Sequence, residues 1–186
     1  MPKIFCLEGE WSGELSDEQS VVPLLEVLRH TAGVGYIHRR VGTRAELERL
    51  LGRWRSHTSY ATLYLAFHGE RGDLELDEMV GLETLAEMLG PSCEGAMIHL
   101  SACQSLRVSE EAVASFLRDT RADGLLGYEG DVKWIEGAAL DLIVLEALAD
   151  RSSKGRRPSV PNLVGILRDH YPGLVKRTTF SGRPLA

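Results

Sequence analysis

Short apolar runs alternate with amphipathic stretches along this chain. Four continuous apolar runs are typical of strands that are covered on both faces, and they fall at residues 4–7, 61–67, 96–100 and 124–128. A fifth run, residues 36–41, includes three basic side chains and therefore predicts a strand near the edge of a sheet. The spacing of these runs leaves room for a helix between successive strands.

Helical periodicity and capping signals fill the intervals between the strands. Three helix starts are indicated by Ser16 with Gln19, by Thr43 with Glu46, and by Ser109 followed by two glutamates. Further helices are predicted over residues 82–89, 134–148 and 160–171. The pattern assigns no element to residues 177–186.

This order of elements predicts an α/β fold. We expect a three-layer α/β/α sandwich with a mostly parallel central sheet, helices on both faces and a small hairpin appended at residues 71–77. The chain, residues 1–186, is expected to form a single domain, in which the basic, Ser/Gly-rich stretch at 151–159 is a flexible loop.

Composition narrows the function classes. The 186 residues carry a net charge of −6, which argues against binding to nucleic acid. No apolar stretch approaches the ~20 residues of a membrane span, and the first residues are too short an apolar segment for a signal peptide. We therefore expect a cytoplasmic protein. The three cysteines and six histidines show no metal-ligand spacing, so neither a metal nor another cofactor is predicted.

Two neighbouring strands of the predicted sheet end in reactive side chains. His68 and Gly69 follow one strand, and Cys103 follows the other, 35 residues later (103 − 68 = 35). Because the carboxyl ends of parallel strands meet at one edge, the imidazole and the thiol are expected within reach of each other. Imidazole can take the thiol proton, and the thiolate can attack a carbonyl. The N–H groups of Gly69 and Cys103 can form an oxyanion hole.

These motifs, in this order, resemble the caspase-like cysteine peptidases (clan CD), and most of all their CHAT and bacterial caspase-like subset. The resemblance covers residues 63–69, 97–104 and 125–142, including the Gly-Tyr-x-x-x-Val-x-Trp motif that starts at residue 127. It implies a caspase-like fold and a dyad in which His68 is the base and acid and Cys103 forms an acyl-enzyme. It also implies a thiol protease of bacterial defence or regulated proteolysis that is activated by a protein partner or a ligand.

The resemblance also bears on the P1 residue, the substrate residue before the cleaved bond. In this family, acidic side chains near the first loop or after the strand that follows the cysteine accept Arg or Lys. This chain offers Glu8 and Glu10 after the first strand and Glu129 and Asp131 after the fifth, while Ser101 stands where the family more often has Gln. It therefore implies cleavage of a protein or peptide after a basic P1 residue, with Asp131 as the first candidate for the pocket and Glu10 as the second.

Other interpretations stay open at this point. His68 or Cys103 alone is more typical of a structural residue, and the chain could be a catalytically silent caspase-like module that binds a partner. A nucleotide-binding domain is disfavoured because no Gly-rich phosphate-binding motif follows the first strand. Tyr128 and Trp134 fit a substrate groove and a core equally well.

The basic stretch 151–157 would itself suit a peptidase that cleaves after Arg or Lys, so we hypothesise that the chain cuts itself there. Glu8 and Glu10 also fit a solvated acidic loop. We expect His99 in the core and His38 at the surface.

Overall fold

The computed structural model of the chain describes residues 3–14, 16, 18–56, 59–149 and 158–185. Strands in this part of the chain are β1 (Lys3–Glu8), β2 (Gly35–Arg40), β3 (Thr62–Ala66), β4 (Gly69–Glu70), β5 (Asp73–Glu75), β6 (Met79–Val80), β7 (Met97–Ser101), β8 (Gly124–Tyr128) and β9 (Phe180–Pro184). Helices are α1 (Val22–Ala32), α2 (Arg44–Arg55), α3 (Leu82–Leu89), α4 (Glu110–Thr120), α5 (Trp134–Ala149), α6 (Val160–His170) and α7 (Pro172–Thr178).

The main sheet has six strands in the order β2-β1-β3-β7-β8-β9. The first five run parallel, and β9 pairs antiparallel with β8. The α/β fold and the mostly parallel sheet predicted from the sequence are confirmed, and β2 lies at an edge as its polar residues indicate. Strand β9 was not predicted.

Helices cover both faces of the sheet. Phe5 and Leu7 of β1 point to one face, where they join a cluster with α2, α3 and α4. The alternate residues Ile4 and Cys6 point to the other face and pack with α1 and α5. At the β8–β9 end, this second face is covered by α5, α6 and α7. Because successive side chains of each central strand point to opposite covered faces, both positions are apolar, which explains the continuous runs in the sequence.

The appended hairpin begins directly after the third strand. Strands β4, β5 and β6 form a small antiparallel sheet, one strand more than the hairpin that the sequence predicts. Its first turn places Arg71 and Gly72 at positive φ. The Glu75 N–H donates to the His68 carbonyl over 3.0 Å, so the hairpin holds the backbone of His68 in place.

Two of the three capping signals in the sequence mark the start of a helix in the structure. The Thr43 side chain accepts from the Glu46 N–H over 3.2 Å and that of Ser109 from the Ala112 N–H over 3.1 Å, as predicted. The signal at Ser16 was wrong: α1 begins at Val22, and its N-cap residue makes no side-chain cap. Here the loop before α1 is fixed by a tertiary contact, described below, rather than by a local cap.

The flexible loop predicted at 151–159 falls mostly outside the described residues. Residues 150–157 lie outside them, so the flexible loop and the self-cleavage hypothesis stay predictions. No helix in the described part of the chain combines the length and the apolar character that a membrane crossing requires.

Candidate active site

The carboxyl ends of β3 and β7 lie side by side, as the sequence predicts. Their pairing extends to Ala66 opposite Ser101, and the Phe67 N–H continues it by donating to the Ser101 carbonyl over 3.1 Å. His68 and Cys103 therefore leave adjacent strands at the same edge. Both side chains line one cleft of about 230 Å³.

His68 is oriented by the loop that follows β1. Its Nε2 lies 2.8 Å from the backbone carbonyl oxygen of Trp11, and the two side-chain rings meet edge to face at 5.2 Å. A carbonyl oxygen can only accept, so Nε2 carries the proton and Nδ1 carries the lone pair. The contact selects the tautomer in which Nδ1 is the basic nitrogen.

Cys103 lies in a tight turn after β7. The Val132 N–H donates to its Sγ over 3.3 Å, and Sγ lies 3.7 Å from the Val132 carbonyl oxygen. The next residue, Gln104, has a φ of 54°, a left-handed conformation that is uncommon for a residue with a side chain. The turn aims the half-buried thiol into the cleft.

Gly69 allows the two strand ends to approach closely. A Cβ at this position would lie 2.7 Å from the Cys103 carbonyl oxygen and 2.9 Å from the Cβ of Ala102. Gly69 pairs with Leu74 of β5, and the neighbouring bond from the Glu75 N–H to the His68 carbonyl directs the Gly69 N–H away from β5. The N–H is thereby kept out of the hairpin ladder.

The floor of the cleft contains a buried carboxylate that sequence analysis missed. Asp141 of α5 is 1% exposed and accepts from four side chains of the sheet. The donors are Tyr64 Oη at 2.7 Å, Ser101 Oγ at 2.5 Å, His99 Nε2 at 2.6 Å, and Tyr128 Oη. Burial raises the pKa of Asp141, but the neighbouring His99 and the hydrogen bonds outweigh burial and hold it below its ordinary 3.8.

The two tyrosines of this network stay protonated. Burial, and then the charge of Asp141, raise the pKa of Tyr64 and that of Tyr128 well above the ordinary value of 10. Each phenol therefore keeps its O–H and donates it to the carboxylate. His99 is buried in the core, as expected.

A second buried carboxylate, Glu8, holds the loop that orients His68. It accepts from Trp11 Nε1 at 2.6 Å, Ser20 Oγ at 2.8 Å, the Val21 N–H at 2.8 Å and His38 Nε2 at 2.6 Å. Burial raises its pKa, but the hydrogen bonds from His38 and the loop outweigh burial and hold it below 4.5. The expectations of a solvated Glu8 and a surface His38 without a partner were therefore wrong.

The structure brings only some of the predicted pocket residues to the cleft. Ser101 lines it, and so do Tyr128 and Trp134. Glu10 lines a separate recess of about 440 Å³ next to His68, together with Glu75 and Asp77.

Asp131 and Glu129 were predicted as pocket residues, but neither lines the cleft or the recess that contains Glu10. Asp131 is exposed and accepts from Gln104 Nε2 over 2.8 Å. Glu129 is exposed and lies 3.6 Å from Arg183.

One signal in the sequence could have indicated Asp141 instead, because it is the lone charge in the apolar stretch 137–145 of α5. Within the described residues, no group of His, Cys, Asp and Glu is arranged to hold a metal ion.

Comparison with known protein families finds a match to most of the chain. The model of a protein family matches residues 2–154, and that family is described as one of unknown function. The matched range includes His68, Cys103 and Asp141. No curated protein matches the chain.

Proposed function

The chain belongs to the DUF6642 family of unknown function, and we propose that it is a cysteine endopeptidase with Cys103 as nucleophile and His68 as general base. The observation that carries the proposal is the position of both side chains on one cleft, at the ends of adjacent parallel strands. The Trp11 carbonyl supports it, because it leaves the basic Nδ1 of His68 for the thiol proton.

The proposed reaction has two steps. His68 Nδ1 takes the proton of Cys103 Sγ, and the thiolate attacks the carbonyl carbon of the scissile peptide. The N–H groups of Gly69 and Cys103 stabilise the oxyanion, and the imidazolium returns its proton to the leaving amine. Water, deprotonated by His68, then attacks the thioester on Cys103, which releases the carboxylic acid product and restores the thiol.

A caspase-like fold is part of this proposal. It is supported by the order of strands and helices, by the His-Gly and Ser-Ala-Cys motifs at neighbouring strand ends, and by helices on both faces of the sheet. Control by a protein partner and a role in bacterial defence stay predictions from the resemblance. The cytoplasmic location and the cleavage within residues 151–157 stay predictions that start from the sequence.

Covalent labelling tests the dyad. We would incubate the protein with peptide chloromethyl ketones that carry Arg, Lys, Asp or Leu at P1 and locate the adduct by peptide mass spectrometry. We expect an adduct on Cys103 that is lost in His68→Ala and kept in the matched control His170→Ala, whose histidine is exposed. Cys6 and Cys93 serve as internal controls, because burial raises the pKa of the Cys6 thiol and raises that of Cys93 to about 11.

Labelling with iodoacetamide distinguishes an enzyme that does not react with the chloromethyl ketones from a catalytically silent module. If iodoacetamide labels Cys103 at the rate of an unperturbed thiol, and equally fast in His68→Ala, the histidine does not activate the thiol. That outcome would overturn the peptidase proposal in favour of the alternative, a catalytically silent module that binds a partner through the cleft.

A further inference from the structure

Three hydroxyl groups at the floor of the cleft each use their hydrogen in a hydrogen bond to the same carboxylate. Ser101, Tyr64 and Tyr128 each donate to Asp141, and all three line the cleft. A hydroxyl has a single hydrogen and two lone pairs. These oxygens can therefore only accept a hydrogen bond from a group that enters the cleft.

Asp141 stays ionised at the floor of the cleft. Its Oδ1 lies 2.6 Å from His99 Nε2, and the other ring nitrogen, His99 Nδ1, is buried and has no hydrogen-bond partner among the described residues. His99 and the hydrogen bonds around the carboxyl hold the pKa of Asp141 below its ordinary value, so the group carries its negative charge at neutral pH.

The walls above this floor are apolar and aromatic. Trp11 and Trp134 line the cleft and contact each other edge to face at 4.5 Å, and Phe67, Val132 and Ala138 are among the other apolar residues of the lining. Such walls accommodate the aliphatic stem of a long side chain, and indole rings also attract a cation.

Resting on the proposed function, we propose that this cleft is the P1 pocket and that its acceptor-only floor, formed by Ser101, Tyr64 and Tyr128 over Asp141, selects Lys or Arg. A guanidinium or ammonium group has only donors to offer and carries the opposite charge to the floor. A P1 Asp or Glu finds no donor at the floor and is repelled by Asp141. This assignment replaces Asp131 and Glu10 as the specificity residues.

Lys133 also lines the cleft, but at its exposed rim. Solvent and salt screen a charge at the rim, whereas the buried charge of the floor is screened much less. The floor therefore decides which side chain is accepted.

Binding of small probes tests the floor without any catalysis. In Cys103→Ala we would titrate n-butylguanidinium, n-butylammonium, 1-pentanol and valerate, and follow the fluorescence of Trp11 and Trp134. We expect the two cations to bind at least about tenfold more tightly than pentanol, and valerate to bind most weakly. Equal affinity for cation and alcohol, or preference for valerate, overturns the proposal.

Variants identify which carboxylate is responsible. Asp141→Asn should reduce the preference for cations over pentanol about tenfold, while Asp131→Asn and Glu10→Gln should leave it unchanged. Ser101→Ala removes one acceptor and should reduce it about threefold, so this variant keeps the test valid if Asp141→Asn does not fold. A loss of preference in Asp131→Asn or Glu10→Gln but not in Ser101→Ala contradicts the assignment.

Peptide cleavage separates this inference from the function on which it rests. With the wild-type chain we would compare peptides that differ only in P1, Arg against citrulline and Lys against norleucine, and expect the charged member of each pair to be cleaved at least about tenfold faster. Cleavage without that preference overturns the pocket assignment alone. Selective cation binding without Cys103-dependent cleavage overturns the peptidase and leaves a cation-binding cleft.

Discussion

Glu8 and Asp141 are both fully buried carboxylates, but they differ in what surrounds them. Among the described residues, Glu8 accepts mainly from N–H groups, which have no acceptor to offer, and its hydroxyl donor, Ser20, uses its oxygen to accept from the Val22 N–H over 3.1 Å. Asp141 accepts from three hydroxyls, and all three belong to residues that line the cleft. Burial alone therefore does not tell whether a carboxylate is structural. The groups around Glu8 therefore offer no acceptor to a further molecule, whereas the hydroxyl oxygens around Asp141 offer acceptors to a group that enters the cleft.

The first prediction compares the two networks by their contribution to stability. Asp141→Ala should lower the free energy of unfolding by about 3–5 kcal/mol, because the buried Tyr64, Tyr128 and His99 would lose their shared acceptor. Glu8→Ala should cost about 2 kcal/mol, since Trp11 and His38 lie partly exposed. Urea unfolding measures both.

The control for this comparison is Glu14→Ala, which removes an exposed carboxylate and should change the free energy of unfolding by less than about 0.5 kcal/mol. An equal or larger loss in Glu8→Ala than in Asp141→Ala would contradict the expectation that buried donors lose more stability than partly exposed donors when their acceptor is removed.

The second prediction concerns how Glu8 acts on His68 through Trp11. Glu8→Gln should lower kcat about tenfold with little change in KM, because the loosened loop no longer holds the carbonyl that orients the imidazole. Trp11→Phe, which keeps that carbonyl but loses the indole N–H, should give a similar loss. Steady-state kinetics of the double variant decide the matter: the losses should not add, and additive losses would show that the two residues act independently.

The third prediction uses pH to separate the charge of Glu8 from its packing. The pKa of Glu8 is lower in the folded chain than its ordinary 4.5, so the unfolded chain binds the proton more readily. The stability from this charge is therefore complete above pH 4.5 and is lost as the pH falls through the folded pKa. The difference in unfolding free energy between the wild type and Glu8→Gln should narrow below pH 4.5, and a constant difference from pH 7 to pH 3 would contradict it.

The smallest effect is expected at the rim of the cleft. Lys133→Gln should strengthen the binding of n-butylguanidinium about twofold at low salt, and the gain should vanish near 0.5 M salt because exposed charges are screened. Lys176→Gln, at an exposed position of α7, is the matched control and should have no effect. A gain larger than the loss in Asp141→Asn would place the controlling charge at the rim rather than at the floor.

The pattern of apolar and polar residues predicted the elements that depend on neighbouring residues in the sequence. The strands that carry His68 and Cys103 are continuous apolar runs, and the geometry of parallel sheets suffices to bring their ends together. The start of α1 could not be predicted in this way, because the Val21 N–H is bound by Glu8, thirteen residues earlier, instead of by a neighbouring side chain. Strand β9 lacks an alternating pattern and forms by pairing with β8.

The candidate site likewise contains residues that the sequence pattern predicts and residues that only tertiary contacts bring together. The dyad residues follow from strand ends, but the floor of the cleft needs Tyr64, Ser101 and Tyr128 from three strands to meet Asp141 from a helix. Nothing in the spacing of these four residues reports their contact. Asp131 and Glu129 were attractive because they are acidic and follow a strand, yet that position leaves them in solvent.

The antiparallel strand β9 has a consequence for how the molecule can be shortened. It covers the backbone of β8, whose five residues are all buried, and Phe180 packs on Tyr128 at 5.9 Å. A chain cut after residue 154, where the family match ends, would keep the dyad and Asp141 but uncover an apolar strand edge. Uncovered edges of this kind template intermolecular β-pairing, so the shortened chain is expected to aggregate rather than to act as a minimal enzyme.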